Sequence, residues 1–212
     1  MITTGCGGPR YVDYFPYDDN GTPKPKVALI PLIDSSENDL SWDISEEISQ
    51  GIYRTMMDSG LFYVPTPAEI GPAWKKIDQV DFFGASSSYQ PLVNQFKNTD
   101  FVVVFDLIEH KISLSQDEVS PPKRITQCYA QNRQLVTRVR IKILDIRCEV
   151  PKIILFEVFK TCYSLTPSKY GFACDEIAWG SIGYTKTPCG IAHDRLIRGL
   201  AARLEQVIWS AK

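Results

Sequence analysis

Phe101-Val-Val-Val-Phe105 constrains this chain more than any other stretch. Five apolar residues follow one another without a polar break, so neither face of the strand they form meets water. A strand of this kind, running from Phe101 to Ile112, is central in its sheet or covered on both sides. The stretch from Arg138 to Cys148 behaves differently. Val139, Ile141 and Ile143 face one way and Arg138, Arg140 and Lys142 the other, the period-two pattern of a half-exposed strand. Val150-Pro151 turns the chain, and Ile153 to Tyr163 returns as the hairpin partner. A sheet with a buried centre and an alternating flank needs helices to cover it.

Those helices are legible. From Ser41 to Ser59, Ile44, Ile48, Ile52 and Met56 recur at every fourth position and form one apolar stripe. Asp43, Glu46 and Glu47 sit in its first turns, where the helix dipole favours acids, and the Glu46-Glu47 pair reads as solvated charge. Gly60 stops the helix. Thr66-Pro-Ala-Glu69 starts another over 67–78: Thr66 caps, Pro67 takes the first helical position and Glu69 closes a capping box. A shorter helix is predicted over 86–97, with Leu92, Val93 and Phe96 on one side. The last, His193 to Ser210, buries Leu196, Ile197, Leu200, Leu204, Val207 and Ile208, with Arg195, Arg198 and Arg203 on its wet side. Short strands are predicted at Lys26–Ile33, where Pro31 marks a bulge or an end, and at Leu61–Val64. Residues 113–123 and 164–189 read as loops. The order β-α-β-α-α-β-β-β-α predicts an α/β (α+β) fold, a mixed β-sheet with helices packed mainly on one face. Residues 26–212 form a single domain. Residues 1–25, with four prolines and repeated glycines, form a flexible arm.

Composition removes several function classes. A hydrophobic fraction of 44% excludes wholesale disorder. No apolar run approaches the roughly 18 residues that a membrane-spanning helix requires. The formal net charge of −2 excludes a protein that binds nucleic acid through bulk basicity. The charge is uneven: residues 1–100 carry 14 acids and 7 bases, residues 101–212 carry 11 and 16. Arg138, Arg140 and Lys142 belong to the basic half, and no aromatic residues interleave with them as stacking platforms for single-stranded nucleic acid. They are read as a basic interaction face for an anionic envelope surface or an acidic protein patch.

No GxSxG, HExxH, GxxxxGK[ST] or GxGxxG motif occurs. Cys189, His193 and Asp194 can be drawn as nucleophile, base and orienter, but sequence neighbours rarely converge in space. The chain is read as a non-enzyme without metal or cofactor. Six cysteines are present without a C-x-x-C pair, and Cys189-x-x-x-His193 has no further ligand nearby in sequence. With Cys6 set aside, five cysteines leave an odd thiol. Cys174 and Cys189 bracket a loop rich in Gly and Thr and are the disulfide candidate, worth about 3 kcal/mol if loop entropy dominates. Cys128 with Cys174 is the rival pairing. Cys148 and Cys162 alternate with strand residues and are read as small buried hydrophobes.

Thr4-Gly5-Cys6-Gly7, followed by the arm, resembles the junction of a bacterial lipoprotein signal, with Thr3 where leucine is usual. The domain adds to this likeness. Lys26-Val-Ala-Leu-Ile-Pro-Leu32 is followed by a polar turn at Asp34, a long amphipathic helix and Phe62-Tyr-Val64. Thr66-Pro-Ala-Glu69, Thr99-Asp-Phe-Val-Val-Val104, a hairpin and a closing helix complete the order. It resembles the periplasmic lipoprotein domains related to the TolB amino-terminal domain, the curli-export lipoprotein and the penicillin-binding-protein activator lipoprotein. Segments 113–135 and 164–189 look like insertions. The resemblance implies a processed signal peptide, acylation (palmitate among the chains) at Cys6, and anchoring in the outer membrane of a Gram-negative cell, facing the periplasm. It implies a domain that contacts envelope proteins or self-associates, without nucleic acid. Two alternatives stand beside it: a cytosolic hydrolase or transferase with an unrecognised site, and a ring-forming secretion subunit.

Overall fold

The computed structural model describes residues 16–74, 82–84, 89–114, 133–165 and 177–212. The chain enters its sheet at β1 (Val27–Leu29), leaves it around Pro31, and rejoins the same neighbouring strand as β2 (Ile33–Asp34). Pro31 has no N–H for a ladder, so the predicted interruption falls where the chemistry requires it. Helices α1 (Ile44–Ser59), α2 (Pro67–Trp74) and α3 (Gln90–Gln95) follow, then three long strands, β3 (Phe101–Leu114), β4 (Arg133–Asp145) and β5 (Lys152–Leu165). Helix α4 (Pro188–Ser210) closes the chain. The strand order is β1-β3-β4-β5, with β2 continuing the β1 edge on β3. β1 and β2 run parallel to β3, while β3–β4 and β4–β5 are antiparallel, so the sheet is mixed.

β3 is covered on both faces, as its apolar run demands. Phe101, Val103, Phe105 and Leu107 face one way, with Val139, Ile141 and Ile143 of β4. They pack against Ile44, Ile48, Ile52 and Met56 of α1 and Leu196, Leu200 and Leu204 of α4. Val102 and Val104 face the other way, with Ala28, Ile30 and Leu144, beneath Ile70 of α2, Phe82 and Leu92 of α3. The two long helices thus share one face, and the short helices cover part of the opposite one. Gly51 lets α1 approach α4: a Cβ there would strike Ile197.

Element limits differ from the sequence reading in several places. β4 runs from Arg133 to Asp145 rather than from Arg138 to Cys148. The strand predicted at Leu61–Val64 is a single parallel bridge between Lys26 and Tyr63. There Val27 N donates to Tyr63 O (2.9 Å) and Tyr63 N to Pro25 O (3.0 Å). α4 begins at Pro188 rather than His193, because Thr187 caps Gly190 N and Pro188 sits in the first turn. The remainder of the helix predicted over 67–78 lies outside the described residues. So do the first residues of the one predicted over 86–97, of which Gln90–Gln95 is helical.

Candidate functional site

The chemically richest group in the described residues is buried where α1, α4 and β3 meet. Glu47 of α1 is 4% exposed, and His193 of α4 is fully buried. Glu47 accepts from Trp42 Nε1 (2.8 Å) and Tyr184 Oη (2.6 Å), and His193 Nδ1 lies 3.0 Å from both carboxylate oxygens. On the other side of the ring, His193 Nε2 is 2.9 Å from His110 Nε2 of β3 and 3.6 Å from Cys189 Sγ. The i, i+4 spacing of Cys189 and His193 puts both on one face of α4.

A carboxylate has no proton to give, so Nδ1 of His193 carries its hydrogen towards Glu47. The two Nε2 atoms then share one proton between them; a second would set two N–H groups head to head. Burial, then the charge of His193, pushes His110 down to about 4, against smaller opposing pulls from Asp34 and Glu47. Burial alone would raise Glu47. Hydrogen bonding from His193, its charge, and the Tyr184 and Trp42 donors outweigh burial and hold Glu47 below its ordinary value.

One sequence reading is corrected here, that of Glu47, and the doubted Cys189–His193–Asp194 arrangement does not form. Asp194 does not orient His193: it is exposed and pairs with Arg198 at 3.0 Å. The carboxylate on His193 is Glu47, which the sequence reading left in solvent. A signal for it existed. Glu47 lies three residues after Ile44 and four before Gly51, on the flank of the buried stripe that meets α4.

The predicted basic strip is a single face of β4, but its members have different fates. Arg138 remains exposed and lies 3.6 Å from Glu109. Arg140 is bonded to the buried carboxylate of Asp106, and its guanidinium lies 4.7 Å from the Phe83 ring centre. Lys142 is only 2% exposed. Its Nζ donates to Phe82 O (2.5 Å) and Tyr89 Oη (2.7 Å), with Phe156 4.8 Å away beneath the charge. The segment carrying Phe82, Phe83 and Tyr89 therefore covers one end of the strip, and Lys142 is not on an open face. What remains exposed is Arg138, its cross-strand neighbour Lys160 on β5, and Lys111 of β3.

Cys6 and Cys174 lie outside the described residues. Cys189, the other half of the disulfide candidate, is buried at the start of α4. Cys148 and Cys162, read from sequence as buried, are exposed: β4 ends at Asp145 before reaching Cys148, and Cys162 lies on the outer face of β5. Among the described residues, no group of three His, Cys, Asp or Glu side chains is arranged to hold a metal ion. No described helix is long and apolar enough to cross a membrane. A cavity of about 350 Å³ lies between β1, α1 and α2, walled by Ile30, Pro31, Ile52, Tyr53 and Ile70, with Glu46 at its polar side.

A family model, described as a family of unknown function (DUF7499), matches residues 13–212. Among solved structures, the hypothetical protein CT253 from Chlamydia trachomatis is 25% identical, with a TM-score of 0.66 over 87% of this chain and 98% of that one. Lipoprotein GNA1162 from Neisseria meningitidis is 10% identical, with a TM-score of 0.44 over 84% and 99% of the two chains. The LpoB C-terminal domain from Escherichia coli is 8% identical, with a TM-score of 0.38 over 65% and 82%. No curated protein matches. The first likeness shows a shared fold; the other two are too distant to bear on function.

Proposed function

We propose that this chain, which belongs to DUF7499, a family of unknown function, is a tethered docking module of the bacterial envelope. Cys6 carries the lipid, residues 7–15 form the arm, and the domain meets a protein partner. Residues 16–25, read from sequence as part of that arm, instead fold onto the domain through the Tyr17–Pro23 bridge and buried Lys24 and Pro25. The tether rests on Thr4-Gly5-Cys6-Gly7 and the Pro- and Gly-rich arm behind it. With two or more acyl chains, about 0.8 kcal/mol per buried methylene holds such a module stably at a membrane. Residues 7–15 span up to about 30 Å when extended.

One observation carries the docking role. Ile153, Phe156 and Val158, three of the large apolar side chains left exposed, all lie on the edge strand β5. Apolar groups gathered on one open strand mark a contact surface rather than scattered exposure. By contrast, Glu47, His193 and Cys189 are buried and bonded to one another, the arrangement of a brace between helices and sheet.

The two parts are tested separately. Intact mass of the product of the full gene, made in a lipoprotein-competent host, is expected to show an acyl gain that Cys6→Ser abolishes. An unmodified soluble product removes the tether. A photo-crosslinking residue at Val158 is expected to trap an envelope protein in living cells, and the same residue at Asp194 is expected to trap none. Equal labelling at both positions removes the docking surface.

A further inference from the structure

The geometry points to an extended acidic segment of a partner protein as the occupant of β5, added to the sheet as a further strand. This deepens the docking reading and is independent of the lipid at Cys6. β4 pairs with one side of β5 from Lys152 to Leu165, and among the described residues no strand pairs with the other. Free edges of this length invite pairing and are ordinarily blunted by proline, a bulge or inward charges. Here Pro151 precedes the strand, the irregularity at Ile143/Leu144 touches only its first residues, and Glu157 is occupied by Arg203 at 2.8 Å. From Leu155 to Leu165 the edge is regular and has no proline.

The side chains beside that edge specify what would pair with it. Phe156 (57% exposed) and Val158 (46%) form an apolar half of the outer face. Two residues further on, exposed Lys160 stands directly opposite Arg138 of β4. Like charges facing across a ladder destabilise it unless an anion joins them. Glu109 serves that purpose on the β3 side, bridging Lys111 (2.5 Å) and Arg138 (3.6 Å). Asp106, the other acid on this face, is buried and committed to Arg140. Lys160, between Arg138 and the open edge, has no carboxylate partner among the described residues. A strand laid along β5 would bring one if it carried an acid opposite Lys160 and apolar residues opposite Val158 and Phe156. Successive same-face positions are two residues apart, so the recognised pattern is an acid, then two apolar residues at alternate positions, in either chain direction.

The test uses the full chain and a fluorescein-labelled peptide in which two valines alternate with threonine and are flanked at both ends by glutamate. A second peptide carries lysine in place of each glutamate. Fluorescence anisotropy is expected to show the glutamate peptide binding roughly tenfold tighter than the lysine peptide. K160E is expected to reverse that preference and K160A to erase it, with circular dichroism unchanged in both. Failure of both peptides to bind, or a preference that K160E leaves untouched, overturns the proposal. So does binding of phosphatidylglycerol vesicles that K160E abolishes while the peptides do not bind, which would make the surface a lipid contact. A dimer in sedimentation that K160E dissociates without any peptide binding would assign the edge to a second copy and also overturns it. A cellular crosslink at Val158 that K160E leaves unchanged preserves the docking module and removes only the acidic segment.

Discussion

His110 and His193 show how one proton can hold three elements together. Their ring nitrogens meet at 2.9 Å between β3 and α4, and the far side of His193 is anchored to Glu47 of α1. His110 is held at about 4 in the fold, below its ordinary 6.5. Between those values the unfolded chain takes up a proton that the folded chain refuses, so stability present above pH 6.5 is lost as pH falls towards 4. The loss from this group amounts to about 3 kcal/mol across the window. Glu47, held below its ordinary value, contributes stability that fades only at lower pH still. Urea titrations at stepped pH are expected to show the decline between pH 6.5 and 4.5, and H110Q is expected to flatten it. An unchanged slope in H110Q would place the proton elsewhere. The adjacent carboxylates Glu46 and Glu47 give a second contrast. E47A strands the Trp42, Tyr184 and His193 donors in the interior and is expected to cost about 3–5 kcal/mol. E46A removes an exposed group whose carboxylate accepts from Gln50 and is expected to stay within about 0.5 kcal/mol. Equal losses in chemical denaturation would show that the carboxylate is not the brace.

At the scale of elements, β4 divides its residues between two environments with different energetics. Ile141 is fully buried against α1 and α4, whereas Arg138 is exposed. Ile141→Ala is expected to lower unfolding free energy by roughly 2–5 kcal/mol, and Arg138→Ala by less than about 0.5. Comparable values from urea curves would mean that the faces are assigned the wrong way round. The sequence predicts this strand, its hairpin partner and the stripes of α1 and α4 because each depends on local periodicity, which packing only reinforces. It misplaces what depends on a distant segment arriving. Nothing near Lys142 announces that Phe82 and Tyr89 will close over it, and nothing near Glu47 announces His193. The Leu61–Val64 strand fails for a related reason: it has the composition of a strand, but among the described residues its one bridge is at Lys26, so the ladder ends after one step. The fold and its strongest elements were therefore legible in the residues. The polar core was not, because its members lie in α1, β3 and α4, far apart in sequence.

For the molecule as a whole, the question is whether its two apolar layers are one cooperative unit. One layer joins α1 and α4 to the sheet, the other joins α2, α3 and Phe82 to it, and β3 is the wall between them. Alternate residues of one strand, Phe101, Val103 and Phe105 on one side and Val102 and Val104 on the other, belong to different layers. A disturbance of either layer must therefore move the backbone that the other packs upon, since close-packed interiors transmit strain. Ile48→Ala, in the first layer, and Leu92→Ala, in the second, are each expected to cost about 2–5 kcal/mol. Both are expected to lower the midpoint of one shared transition. Both variants are placed in a Trp74→Phe background, which removes the α2 tryptophan. Their thermal unfolding, followed by tryptophan fluorescence, with Trp42 beside the polar core, and by far-ultraviolet circular dichroism, is expected to give coincident curves. If Leu92→Ala instead produced an early circular-dichroism phase that leaves the fluorescence unchanged, the α2–α3 layer would be melting independently. The wall formed by β3 would then separate the two layers rather than couple them.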